Sequence, residues 1–110
     1  MYIFNETINV DESIHEKWLH WMKEVRIPEM LSTGKFSKAK MCKVMIHEEM
    51  GGITYSIQYS IENLDILQQY YTNYSQKFHA EALQLFKDKF VVFRTELEVI
   101  SEQYSLVSKN

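Results

Sequence analysis

The stretch "ITYSIQYSI" alternates without fault: Ile53, Tyr55, Ile57, Tyr59 and Ile61 on one side, Thr54, Ser56, Gln58 and Ser60 on the other. Side chains of a strand point alternately to its two faces, so this segment has one apolar face and one polar face. Such a strand belongs to an antiparallel sheet covered on one side only. A lone strand cannot pair its backbone, and three further segments supply partners. "YIFNETINV" sets Tyr2, Phe4, Ile8 and Val10 against Ile3, Asn5, Thr7 and Asn9. Glu6 interrupts its apolar face, with a pairing partner as the one rationale. "AKMCKVMIHEE" places Cys42, Val44 and Ile46 on one face, and "EEMGG" makes the turn into the next strand. "KFVVFRTELEV" closes the series, with Arg94 in its middle.

Two helical patterns separate these strands. Asp11 is placed as an N-cap with Glu12 in the first turn. Ile14, Trp18, Trp21, Met22 and Val25 then form a helical stripe. Pro28 cannot donate to Glu24, so a kink or restart is expected there, and Gly34 suits a left-handed stop. The second pattern carries Leu67, Tyr71, Tyr74, Phe78, Ala82 and Leu85 at spacings of three and four.

The order β-α-β-β-α-β predicts an α+β, ferredoxin-like fold: a four-stranded antiparallel sheet with two helices on one face. Residues 1–100 are expected to form a single domain, and residues 101–110 a polar C-terminal tail. The helix-covered face is assigned Phe4, Ile8, Cys42, Val44, Tyr55, Ile57, Phe93, Leu97 and Val99. Strand parity then sends Arg94 to the open face, beside Asn5, Thr7, Thr54, Ser56 and Gln58, with Met41, Lys43, Met45 and His47 along the far edge. Ile3, Met41, Met45, Phe90 and Val92 are expected on that same open face. Polar groups framed by apolar ones suit an enclosed cavity better than a wet surface. Asn5, Thr7, Thr54, Gln58 and Arg94 are therefore the candidate ligand-binding residues. A guanidinium in such a place seeks a carboxylate or carbonyl oxygen, from a ligand or from an acid such as Glu96 or Glu98 across a dimer.

Several classes are disfavoured. A formal charge of -3 and a pI near 5.8 leave no electrostatic footprint for nucleic acid. The lysines of "GKFSKAKMCK" read as a solvated strand edge. The single cysteine, Cys42, excludes an internal disulfide, and a cytoplasmic location is expected. The first residues lack the basic and apolar regions of a signal peptide, and no apolar run spans a bilayer. His15, His20, His47, His79, Cys42, Glu48 and Glu49 form no recognised metal-ligand spacing, so no metal is expected. Cys42, placed inside, reads as a small hydrophobe rather than a nucleophile. The one Gly-Gly pair joins two strands, so no phosphate loop precedes a helix.

The segments "GGITYSIQY", "FVVFRTELEV" and "NVDESIHEKWLHWMKEVRIPEML" together resemble an uncharacterised bacterial domain-of-unknown-function family of the dimeric α/β-barrel superfamily. The resemblance covers roughly residues 2 to 99. It implies a homodimer packed sheet to sheet, enclosing a polar chamber. Relatives in that superfamily include cofactor-free monooxygenases, small isomerases, haem-degrading enzymes and ligand-sensing domains, so the fold leaves function open. The haem-degrading pattern would use Asn5 and His79, yet its third-strand tryptophan is missing where Gln58 or Tyr59 stands. Trp18 and Trp21 lie instead on the first helix at core spacing. The resulting expectation is a cytoplasmic homodimer without a cofactor, acting as a small-ligand-binding or interaction module. A cofactor-independent monooxygenase or isomerase, or a structural protein-protein partner, are the alternatives.

Overall fold

The computed structural model describes residues 1–46 and 51–107. Four strands, β1 (Tyr2–Val10), β2 (Lys38–Lys43), β3 (Ile53–Ile61) and β4 (Phe90–Glu98), form one antiparallel sheet in the order β2-β3-β1-β4. This is the ferredoxin-like arrangement expected from the element order. The long crossovers are helical: α1 (His15–Trp21) and α2 (Ile27–Ser32) in the first, α3 (Leu64–Tyr70) and α4 (Gln76–Phe86) in the second. Each crossover contains a π turn, Met22–Arg26 between α1 and α2 and Tyr71–Ser75 between α3 and α4. Helical backbone continues through both, so each crossover is one rod with a widened middle.

Local chemistry sets the ends. Asp11 accepts a hydrogen bond from the Ser13 amide at 2.9 Å, and Asn63 accepts one from Ile66 at 2.9 Å. Pro28 falls in the first turn of α2, two residues beyond a π turn that absorbs its missing donor. Gly34 ends the first rod at φ +76.

The core lies between the rods and the β1–β3 centre of the sheet. Phe4, Ile8, Val10, Tyr55, Ile57, Tyr59 and Ile61 face Trp18, Met22, Met30, Leu67, Tyr70, Phe78 and Phe86. Phe4 touches Phe36, Tyr59, Tyr70 and Tyr71, with ring centroids 5.5–6.2 Å apart.

Two strands carry the opposite parity to that expected. In β4, Phe90 pairs with Val10 and Val92 with Ile8, so both lie under the helices, while Val91, Phe93 and Leu97 project from the open face. Phe93 is 67% exposed. Both faces of β4 are apolar, so alternation alone gives no preference, and the bulkier Phe93 points the wrong way. In β2, Met41 pairs with Ile57 and packs on the core, whereas Cys42 pairs with Ser56 and is exposed. The strand ends at Lys43, so Val44, though half-buried, lies beyond it; Met45 is also past the strand and exposed. Val99 follows the end of β4, its amide donating to Met1. His47, Glu48 and Glu49 lie outside the described residues. Among the described residues no helix is long and apolar enough to cross a membrane.

Candidate functional site

The polar centre of the molecule lies under the helices. Glu6 sits on the inner face of β1 between Phe4 and Ile8, directly opposite Arg94 of β4. Arg94 Nε donates to Glu6 Oε2 at 3.1 Å, with the two side chains 34% and 12% exposed. Burial pushes the Glu6 carboxyl above its ordinary range, and the Arg94 charge and hydrogen bond, with the Arg26 charge, offset part of that. Arg94 Nη2 also lies 3.4 Å from His79 Nδ1 on α4. A guanidinium only donates, so the contact is a hydrogen bond in the tautomer whose Nδ1 accepts. The Arg94 expectation is corrected here: the residue is on the helix-covered face, paired with an acid of its own chain.

Arg26 is the second cation of the cluster. It closes the first π turn with a side chain only 9% exposed. Its guanidinium carbon lies 4.5 Å from the Trp21 ring centre and 4.7 Å from that of Phe78. Glu29 and Glu81 approach it at 3.6 and 3.8 Å, too far for hydrogen bonds, and Nε and Nη2 are buried without an acceptor. The Tyr59 hydroxyl is also buried without a partner, while that of Tyr70 turns to the Met30 sulfur at 3.4 Å. Burial drives both phenols above their ordinary range, and the Glu6 charge adds to it. Between these groups lies a cavity of about 30 Å³ lined by Glu6, Arg26, His79 and Arg94 with Trp18 and Trp21. That volume admits one or two waters.

The π turns put Arg26 there. Trp18, Met22, Arg26 and Met30 recur every fourth residue and are all buried; so do Tyr70, Tyr74, Phe78, Ala82 and Phe86 along the second rod, where only Tyr74 and Ala82 are less than fully buried. An α-helix would rotate such a series off its face, and a π turn, by adding a residue, restores it. Arg26 therefore takes the inward place expected for Val25, which is 42% exposed, and Leu85 yields likewise to Phe86. The strict four-residue spacing was the sequence signal for this.

The open face carries the other candidates together. Asn5 lies opposite Gln58, Thr7 opposite Ser56, and Asn9 opposite Thr54. Ser56 donates to Asn5 Oδ1 at 2.7 Å, Asn5 Nδ2 to Thr7 Oγ1 at 3.1 Å, and Asn9 Nδ2 to Thr54 Oγ1 at 3.0 Å. At one end of this face a cavity of about 510 Å³ is bounded by Ile3, Lys38, Lys40, Gln58, Val99 and Glu102. Val91, Phe93 and Leu97 stand along the β4 side of the open face. His15 is engaged elsewhere, 2.7 Å from the Tyr55 hydroxyl. Among the described residues no group of three His, Cys, Asp or Glu side chains is placed to hold a metal ion.

Solved structures share this fold. A dimeric ferredoxin-like protein from an uncultured marine organism is 16% identical, with a TM-score of 0.69 over 96% of this chain and 100% of its own. A second such protein from an uncultured marine organism is 14% identical, with a TM-score of 0.70 over 93% and 97%. HapK from Hahella chejuensis is 13% identical, with a TM-score of 0.69 over 97% and 100%. No curated protein matches the sequence. The sequence pattern of the family described as Domain of unknown function (DUF4286) matches residues 1–100, and the chain belongs to that family.

Proposed function

We propose that the protein is a homodimeric small-ligand-binding module of the cytoplasm, with residues 1–100 as the folded unit, packing its open sheet faces together. The observation that carries this reading is the apolar row Val91, Phe93 and Leu97 left at 54%, 67% and 41% exposure on a sheet face. Three strands of nine residues and one of six, about 4.8 Å apart and rising about 3.3 Å per residue, present roughly 500 Å² in projection. That flat projection is about two-thirds of the ~800 Å² of accessible surface each partner of a standard interface buries, and the side chains add to it. Apolar area removed from water would stabilise the pair at ~25 cal/mol per Å². Two of the similar solved proteins are themselves described as dimeric, which supports the same arrangement here.

Pairing the faces would roof the cavity beside Gln58, with Asn5, Thr7 and Thr54 farther along the same covered face. Lys38 and Lys40 at its rim favour a small carboxylate or carbonyl ligand. Light scattering on a size-exclusion column tests the assembly. The wild type should elute at twice the chain mass and Phe93→Glu at the chain mass; a monomeric wild type rules the reading out. A dicarboxylate such as succinate should raise the wild-type melting temperature but not that of Lys40→Gln.

A further inference from the structure

The segment after β4 has the pattern of a strand with nothing to lie on. Ile100, Tyr104 and Leu106 fall on one side of an extended chain and Ser101, Gln103 and Ser105 on the other, with Glu102 interrupting the apolar side. Ile100, Tyr104, Leu106 and Val107 are 84%, 80%, 101% and 78% exposed, so their own chain gives them almost no cover. The Val99 amide ties the root of the segment to the Met1 carbonyl. Beyond it, the hydrogen bonds among the described residues run only between residues two apart: Gln103 to Ser101, Tyr104 to Glu102 and Val107 to Ser105. The root lies on the open-face side, where Val99 and Glu102 bound the 510 Å³ cavity. The Cα radius of gyration, 15.4 Å, exceeds the ~13 Å of a compact domain of this length, as a segment standing off the body would make it. Exposed apolar groups gathered in one place mark an interaction surface.

We propose that residues 100–107 form an arm that each chain lays across a second copy of itself, a step that rests on the sheet-to-sheet dimer of the proposed function. Val91, Phe93 and Leu97 run along the open face of β4, and the arm carries on from that same strand. The flat projection of the open face, roughly 500 Å², falls short of the ~800 Å² that a standard interface takes from each partner. The arm adds apolar area where the sheet ends. Its reach suffices, since residues 100–107 extend up to roughly 26 Å, against about 15 Å between the outermost strands of a four-stranded sheet.

Truncation after Gln103 removes Tyr104, Leu106 and Val107 but keeps Val99 and Glu102 at the cavity. Sedimentation over a dilution series should show the dimer dissociation constant raised at least about tenfold, the worth of burying one such side chain. In monomeric Phe93→Glu the same truncation should leave the melting temperature unchanged, because the arm leans on so little of its own chain. Benzoylphenylalanine at position 104 should, on irradiation, join two full-length chains, and should fail to do so in Phe93→Glu. A dimeric wild type whose affinity survives the truncation, or cross-links confined within one chain, overturns the arm and leaves the dimer standing. Loss of stability on truncating Phe93→Glu also overturns it, by placing the segment on its own chain. A monomeric wild type removes the dimer reading and the arm with it.

Discussion

Glu6 and Arg94 are direct cross-strand neighbours on the inner face of the sheet, 3.1 Å apart and roofed by the second helical rod. The guanidinium is the partner of a carboxylate that would otherwise be buried alone. Arg94→Met should therefore cost about 1–3 kcal/mol near neutral pH, the penalty of an unsatisfied buried acceptor. The lower half of that range is expected, because water reaches an arginine that is 34% exposed. The loss should shrink in acid as Glu6 protonates. Denaturant melts at two pH values check this; no loss at either would leave Arg94 a surface residue.

The same carboxyl sets a pH dependence. Its folded value lies above the ordinary 4.5, so the folded state holds the proton more tightly than the unfolded state. Glu6 then contributes stability that is fully present below about 4.5 and is lost as pH rises through the raised folded value. Glu6→Gln should flatten the stability profile over that window. Parallel profiles for mutant and wild type would contradict the assignment.

Trp18 is 2% exposed and packs on Tyr55, ring centres 5.3 Å apart. Trp18→Ala should cost about 3–5 kcal/mol by cavity formation. A loss under about 1 kcal/mol in urea melts would be incompatible with the packing described.

Glycine is required more strictly at one turn than at another. Gly52 has φ +81, and a Cβ there would lie 2.6 Å from Asn9 Oδ1 and 2.8 Å from the Val10 carbonyl. Gly34 has φ +76 but open space around it. Gly34→Ala should cost about 1 kcal/mol from left-handed strain alone, and Gly52→Ala clearly more. Equal shifts in melting temperature would mean the β1–β3 end relaxes freely.

Much of the architecture was legible in the residues. Period-two alternation in "ITYSIQYSI" and "YIFNETINV" marks two central strands with one wet face, and the β-α-β-β-α-β order leaves few ways to join them. Asp11 and Gly34 punctuate the first rod as their chemistry dictates. Asn5, Thr7, Thr54 and Gln58 share a face because their strands alternate cleanly and pair in register. Where alternation was ambiguous, tertiary structure decided. β4 has apolar side chains on both faces, and only its pairing with β1 turns Val92 and Arg94 inward and Phe93 outward. Cys42 faces outward for the same reason, since an edge strand's parity is set by the neighbour it pairs with. A period of 3.6 points Val25 inward where the structure buries Arg26, because a π turn depends on the packing of the whole rod against the sheet. Sequence periodicity records which side chains share a face; which face meets the core is a long-range choice, made by strand register and helix packing together.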